Sequence, residues 1–356
     1  MRRAAGLLGV AVACAFAAAA TAQPAVSLAR LAGATIMSPL TGPPSAAFLA
    51  RVRAGEVGGA ILVGHWSSSA EMASTTQQLQ AAACVAGAPL LIGVDQEGGV
   101  IRRLPWAAPF DTPAALGEFD DSTRVEGEAA SAAAALRLAG IDVDFAPVTD
   151  TISSSKSFLG SRSFGTDTDV VGSLAAAFVQ GLQANGIAAT AKHFPGLGTS
   201  TVNTDDRAVT IHASPGLLQR NLDPFSSAIA AGAKLVMISS AAYPAFDPSG
   251  RPAVFSQPIV TGLLRGTLGF KGVVITDALD APAAVNVPHA TTLAIEAGVD
   301  VLLYTSDYVS RQGYASLAAD AARSPALRAD LARAGARIRA LKAWLSAAGG
   351  PGCPPR

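Results

Sequence analysis

Eight short apolar runs recur along the chain at wide, similar intervals. They are GATIMSP (33–39), GAILVG (59–64), LLIGVDQE (90–97), IDVDFAPV (141–148), IAATAKHF (187–194), KLVMISSA (234–241), GVVITDAL (272–279) and VDVLLYTS (299–306). Each is rich in β-branched residues or leucine, and several follow a glycine. Apolarity that is nearly continuous, rather than alternating, predicts strands buried on both faces, as in a parallel sheet. Helical stretches lie between the runs, at 68–85, 123–139, 169–185, 217–231 and 258–268. A last one, 326–347, carries arginines on one face and Leu327, Leu331, Ile338, Leu341 and Leu345 on the other. Gly140, Gly186, Gly232 and Gly298 each stand between a predicted helix and the next strand, where a left-handed cap belongs.

Strands alternating with helices over about 320 residues predict one α/β domain, a (β/α)8 barrel of the TIM type, from about residue 28 to 348. An open doubly wound sheet is the alternative, but DQEGG is not a glycine-rich nucleotide loop and no Walker sequence occurs. Residues 349–356 form a Pro/Gly-rich tail, and no second domain is expected.

Composition narrows the classes of function. Half of the 356 residues are hydrophobic and only 15% are charged, so the chain can bury a large core. Lysine plus arginine and aspartate plus glutamate both number 26, and no basic face suited to nucleic acid is evident. No cysteine and histidine cluster has zinc-site spacing, and no metal or cofactor is expected. A disulfide between Cys84 and Cys353 is permitted in an oxidising compartment but nothing in the sequence indicates it.

The N-terminus reads as an export signal spanning 1–22. Arg2 and Arg3 supply the positive start, 4–20 is apolar but short for a membrane span, and Ala20-Thr21-Ala22 is a small-residue cleavage site. The expected protein is secreted or extracytoplasmic, with no stable membrane insertion once the signal is removed. An uncleaved anchor is the alternative.

In a barrel of this kind the chemistry gathers where the strands end. The third run ends in Asp95-Gln96-Glu97-Gly98-Gly99, with Arg102 and Arg103 after it. The fourth leads to Asp150 and a loop holding Ser161-Arg162-Ser163-Phe164. The fifth ends in Lys192-His193, the seventh in Thr276-Asp277, and Asp307 follows the eighth. Carboxylates accept from sugar hydroxyls and Arg or Lys donate to them, while a carboxylate at an anomeric carbon can attack it.

In order, Asp95-Gln96-Glu97-Gly98-Gly99 with Arg103, Ser161-Arg162-Ser163-Phe164-Gly165, Lys192-His193-Phe194-Pro195-Gly196 and Thr276-Asp277 resemble the motifs of family 3 glycoside hydrolases. The single-domain layout is similar to the family's β-N-acetylglucosaminidase branch. The resemblance implies that Asp277 is the nucleophile of a retaining enzyme. It implies that Asp95, Arg103, Arg162, Lys192 and His193 hold the sugar next to the scissile bond. The implied partner is a carbohydrate: first a β-linked N-acetylhexosamine, as in peptidoglycan fragments, and second a β-glucoside.

The sequence then departs from that branch. The branch resembles Lys-His-Phe-Pro-Gly-His-Gly-Asp-Thr followed by Asp-Ser-His, whose last histidine is the general acid/base. Here Leu197 replaces the first loop histidine, and Asn203-Thr204-Asp205 stands where Asp-Ser-His would be. Three readings are open. Asp205 transfers the proton, acid catalysis is bypassed in a slow enzyme, or catalysis is lost and the barrel binds glycan. An ordinary Asp, with a pKa near 3.9, carries its proton in about one molecule in a thousand at neutral pH. The first reading therefore needs burial against Leu197, or repulsion from Asp206 or Asp277, to raise it.

Overall fold

The computed structural model describes Met1 and residues 27–353, apart from 65, 154 and 351. The expected export signal lies outside the described residues except for Met1. Among the described residues, eight parallel strands follow one another around a sheet in chain order. They are β1 (Ile36–Leu40), β2 (Gly59–Leu62), β3 (Leu91–Val94), β4 (Val143–Asp144), β5 (Ala188–Phe194), β6 (Leu235–Ile238), β7 (Val273–Thr276) and β8 (Leu302–Leu303). β8 lies beside β1, with Ile36 opposite Leu302, and a parallel bridge from Ile275 to Val301 joins β7 to β8. The sheet thus closes into the expected barrel, with each apolar run overlapping one strand.

Two layers of apolar side chains hold it. Inward-facing Met37, Ile61, Leu91, Phe145, Leu235, Val273 and Ile275 fill the barrel. Gly93 belongs to this packing, because a Cβ there would come within 2.7 Å of the Phe145 ring. Outward-facing Ile36, Leu62, Ile92, Val236 and Val274 join Leu79, Phe178, Phe225 and other helix residues in the second layer. The helices start where sequence chemistry allows. Ser68, Asp121 and Asp167 accept from first-turn N–H groups of Ser69–Ala86, Ser122–Leu138 and Thr168–Ala184. Gly140, Gly186, Gly232 and Gly298 all have positive φ, as their cap positions require.

Three local expectations are corrected. The third apolar run is not one strand through Glu97. It leaves the barrel after Val94, and Gln96–Gly98 pairs with Ile101–Arg102 as an antiparallel ribbon on the rim. The single helix predicted at 217–231 is two, Pro215–Arg220 and Asp223–Ala230, because the Pro224 ring lacks an N–H and blocks a continuous helix. The stretch Pro258–Thr267 is wound more widely than an α-helix, as a π-helix.

The last helix, Pro325–Ala347, lies across the N-terminal end of the barrel. Its Ile338, Leu341 and Leu345 pack with the barrel-filling residues at the strand starts, and Trp344 carries the Lys234 ammonium 4.9 Å from its ring centre. Beyond it, Cys353 is joined to Cys84 of the helix Ser69–Ala86, with Cα atoms 5.3 Å apart. The C-terminal tail is thereby fastened to the outer helical layer. Among the described residues no helix is long and apolar enough to cross a membrane.

Candidate active site

The opposite end of the barrel, where the strands finish, is polar. Asp95 follows β3, and Glu97 sits in the rim ribbon. Lys192 and His193 are near the end of β5, Arg162 is in the short 3-10 turn Gly160–Arg162, and Asp277 follows β7.

Lys192 is at the centre of a buried chain of charges. Its ammonium lies 2.8 Å from Asp95 Oδ1 and 2.7 Å from Glu97 Oε1. Arg162 clasps Glu97 with two parallel bonds, Nε to Oε2 at 2.8 Å and Nη2 to Oε1 at 2.7 Å. Burial alone would push the Glu97 carboxyl up, but Lys192 and Arg162 outweigh it and hold it at about 2. Burial likewise works against the charge on Lys192, yet Asp95 and Glu97 raise its ammonium above the usual lysine range. Lys192 and Glu97 are nearly dry, while Asp95 and Arg162 each keep part of their side chain at the surface, so the four form a preorganised set of donors and acceptors open to hydroxyl groups. Arg103 is tied to the strand end that carries Asp95. Its N–H donates to the Asp95 carbonyl at 3.2 Å, and its half-buried side chain has a buried Nε with no protein acceptor.

Beneath them Asp144 is fully buried. Its Oδ1 accepts the Gln96 N–H at 2.9 Å, and its Oδ2 has no partner. Burial pushes this carboxyl well above the ordinary aspartate range, and Asp95 and Glu97 add to the push against Lys192.

Consecutive residues of a regular strand point to opposite faces. Lys192 and His193 nevertheless both meet carboxylates on the rim, because the β5–β6 register shifts between Ala191 and Phe194. The peptide bonds before His193 and Pro195 are cis. The His193 ring meets buried Asp150 with Nδ1 2.8 Å from Oδ2. The same Oδ2 accepts the His193 N–H at 3.0 Å, and Oδ1 accepts the Leu197 N–H at 2.6 Å. The loop after β5 then presses on the loop after β4. At Gly198 a Cβ would fall 2.0 Å from the Thr151 carbonyl oxygen.

Asp277 is half-buried. Its N–H donates to the Ile238 carbonyl at 2.8 Å, and its Oδ1 accepts the Ala278 N–H at 2.8 Å, which fixes the carboxylate plane. Asp205 stands on the exposed face of the loop. Its N–H donates to Asn203 Oδ1 at 3.1 Å, and Asn203 Nδ2 reaches its Oδ2 at 3.4 Å. Loss of water among the rim loops, and then the charge of Asp277, raise the Asp205 carboxyl, while Asn203, His193 and Arg162 pull it down. Asp205 therefore feels Asp277, His193 and Arg162 together. The source of the repulsion is Asp277, and Leu197 is a core residue that meets Asp150 through its backbone.

On the rim Glu97 and Asp95 link Lys192 and Arg162 into one network, Asp150 holds His193 in another and acts through charge on Arg162, and Arg103 reaches Asp95 through its backbone N–H. The two carboxylates that hold these groups in place, Glu97 and Asp150, were not among the predicted site residues. Buried cations at Lys192 and Arg162 need compensating carboxylates, and that requirement pointed to acidic neighbours in the same motifs. Asp307 is not part of the site. It opens the helix Asp307–Arg323 and pairs with Arg51 and Arg311. Among the described residues no group of three or more potential ligands is arranged to hold a metal ion.

Residues 36–340 match the sequence profile described as the glycosyl hydrolase family 3 N terminal domain. The chain is 39% identical over 229 residues to a beta-hexosaminidase of Stenotrophomonas maltophilia, covering 60% of this chain and 67% of that one. It is 34% identical over 348 residues to an uncharacterized secreted glycosyl hydrolase of Arthroderma benhamiae, covering 92% and 98%. It superposes on the crystal structure of a β-N-acetylhexosaminidase from Beutenbergia cavernae with a TM-score of 0.83 at 33% identity, covering 89% of this chain and 99% of that one.

Proposed function

This chain belongs to glycosyl hydrolase family 3 and is a β-glycoside hydrolase, and on that premise we propose that it releases β-linked N-acetylhexosamine with retention of configuration. In this reading Asp277 is the nucleophile and Asp205 the general acid/base. The carrying observation is the pair of carboxyls at one rim, Asp205 raised by lost hydration and by Asp277, with His193 and the Glu97-held Arg162 also acting on Asp205.

Asp95, Arg103, Arg162, Lys192 and His193 bind the hydroxyls of the terminal sugar. Glu97 keeps Lys192 and Arg162 in place. With Oδ1 held by the Ala278 N–H, Asp277 attacks the anomeric carbon through its other oxygen. The bond to the leaving oxygen breaks, and that oxygen takes the proton from Asp205. Asp205, now ionised, removes a proton from water. The water oxygen attacks the anomeric carbon, the bond to Asp277 breaks, and the sugar leaves with its original configuration. No metal is needed for either step.

An N-acetylhexosaminide is favoured over a glucoside by the names of the relatives in Stenotrophomonas maltophilia and Beutenbergia cavernae. Export is supported by the Arg-Arg start and Ala-Thr-Ala end of the leader, by the Cys84–Cys353 disulfide, and by the secreted relative of Arthroderma benhamiae. An exported enzyme of a bacterium would meet peptidoglycan fragments. The test is a panel of nitrophenyl β-glycosides assayed from about pH 4 to pH 8, with the anomer of the first product read by NMR. N-acetyl-β-glucosaminide cleaved fastest, with the β-anomer appearing first, is the expected result. Preference for the glucoside, or an α-anomer, would overturn the corresponding part of the reading.

A further inference from the structure

Asp150 has no side-chain surface in contact with water, yet it touches two parts of the site. Its Oδ2 accepts the His193 N–H at 3.0 Å and lies 2.8 Å from His193 Nδ1, while its Oδ1 accepts the Leu197 N–H at 2.6 Å. Both carboxylate oxygens already accept backbone N–H groups. The third contact is then a hydrogen bond only if Nδ1 carries the proton. That choice leaves Nε2 as the free nitrogen of a ring that is nearly buried. A bare Nε2 makes His193 an acceptor for a sugar hydroxyl, whereas the lysine and arginines around it only donate. Leu197 opens the segment that leads to Asp205, so the same carboxylate also ties down the base of that loop. Arg162 and buried Tyr243 share the field of Asp150, and Asp205 shares that of His193.

We propose that Asp150 is a positioning residue of the active site. It locks His193 as the Nδ1–H tautomer, directs Nε2 to a hydroxyl of the bound sugar, and couples this contact to the loop carrying Asp205. The inference rests on the sugar-binding reading of His193 given above. Asparagine cannot replace Asp150. It has one acceptor oxygen, so its amide group must face either the two His193 donors or the Leu197 N–H.

The full chain labelled with 15N-histidine decides the tautomer. The protein has four histidines, and a His193→Gln spectrum assigns the relevant ring. The wild type is expected to show a proton on Nδ1 of His193, and Asp150→Asn to shift or lose that signal while the circular dichroism stays native. In kinetics, Asp150→Asn is expected to lower kcat/KM by about 10- to 100-fold, the loss of a bond to a charged acceptor, mainly through KM. In the His193→Gln background the same change should cost less than about 3-fold, because the two residues act as one unit. A bare Nδ1 with the proton on Nε2 in the wild type would overturn the proposal, as would losses that simply add. The spectrum needs no turnover. A chain that cleaved no β-glycoside would thus defeat the functional reading, while the tautomer still decided this one.

Discussion

Lys192 Nζ and Glu97 Oε1 lie 2.7 Å apart, with only 2% and 1% of their side chains exposed. Glu97 is the carboxylate that Lys192 and Arg162 share, and without it the two cations would face Asp95 alone within this chain of charges. Glu97→Gln keeps the shape and removes the charge. It is expected to destabilise the fold by about 3–5 kcal/mol, the cost of leaving a buried charge uncompensated. KM should rise as Arg162 loses its bidentate hold. Urea unfolding measures the first effect, and a change below about 1 kcal/mol would show that the network is far better hydrated than its burial implies.

Asp277→Ala is expected to abolish turnover, with a loss of at least about 10⁴-fold, because no covalent intermediate can form. Circular dichroism and the melting curve should remain native. A 2-fluoro sugar inactivator should label the Asp277 peptide in the wild type. A label on any other carboxylate assigns the nucleophile elsewhere.

Asp205→Ala is expected to slow substrates with poor leaving groups by about 100-fold or more, yet largely spare dinitrophenyl glycosides, which need no proton. Azide should restore part of the deglycosylation rate and yield a glycosyl azide. The wild-type rate should fall as pH rises through the Asp205 pKa, which lost hydration among the rim loops and the charge of Asp277 hold above the ordinary aspartate value. Equal losses on both substrate types, without azide rescue, would leave Asp205 a role in loop shape only.

The carboxyl of Asp144 is raised well above its unfolded value by burial. Stability linked to such a group is fully present below about pH 4 and is lost as pH rises through the folded-state value. Asp144→Asn removes the linkage and keeps an acceptor for the Gln96 N–H. Its melting temperature should exceed that of the wild type by a few degrees at neutral pH, and the gap should close toward pH 4. A gap that stayed constant with pH would count against a buried, proton-holding Asp144.

Material recovered outside the cytoplasm is expected to begin at Gln23 and to contain no free thiol, since Cys84 and Cys353 are joined. N-terminal sequencing and thiol titration under denaturing conditions check this. An intact chain with free thiols in the cytoplasm contradicts export.

Apolar runs without alternation located all eight strands, because burial on both faces leaves a strand no polar face to show. The rim was harder to read. Glu97 was visible only as part of a strand end, because nothing local marks the sharp exit after Val94 into the ribbon. Asp150 was visible as a strand end, but its bond to His193 Nδ1 joins residues 43 apart in sequence and depends on the β5 register shift. Pro224 did signal the break in the predicted helix at 217–231, but the apolar periodicity on either side concealed it. The Cys84–Cys353 link spans 269 residues, a separation at which spacing carries no information about proximity.

The helix that floors the barrel also comes after every strand that it covers. Ile338, Leu341 and Leu345 meet barrel-filling side chains from strands as early in the chain as β1, with Met37 in the same cluster. A growing chain can pair strands and lay down helices, but it cannot seal its own interior until this helix has been made. Until that helix is in place the barrel stays open at its floor. A version ending at residue 324 is therefore expected to bind hydrophobic dyes and fall to proteases that the whole chain resists.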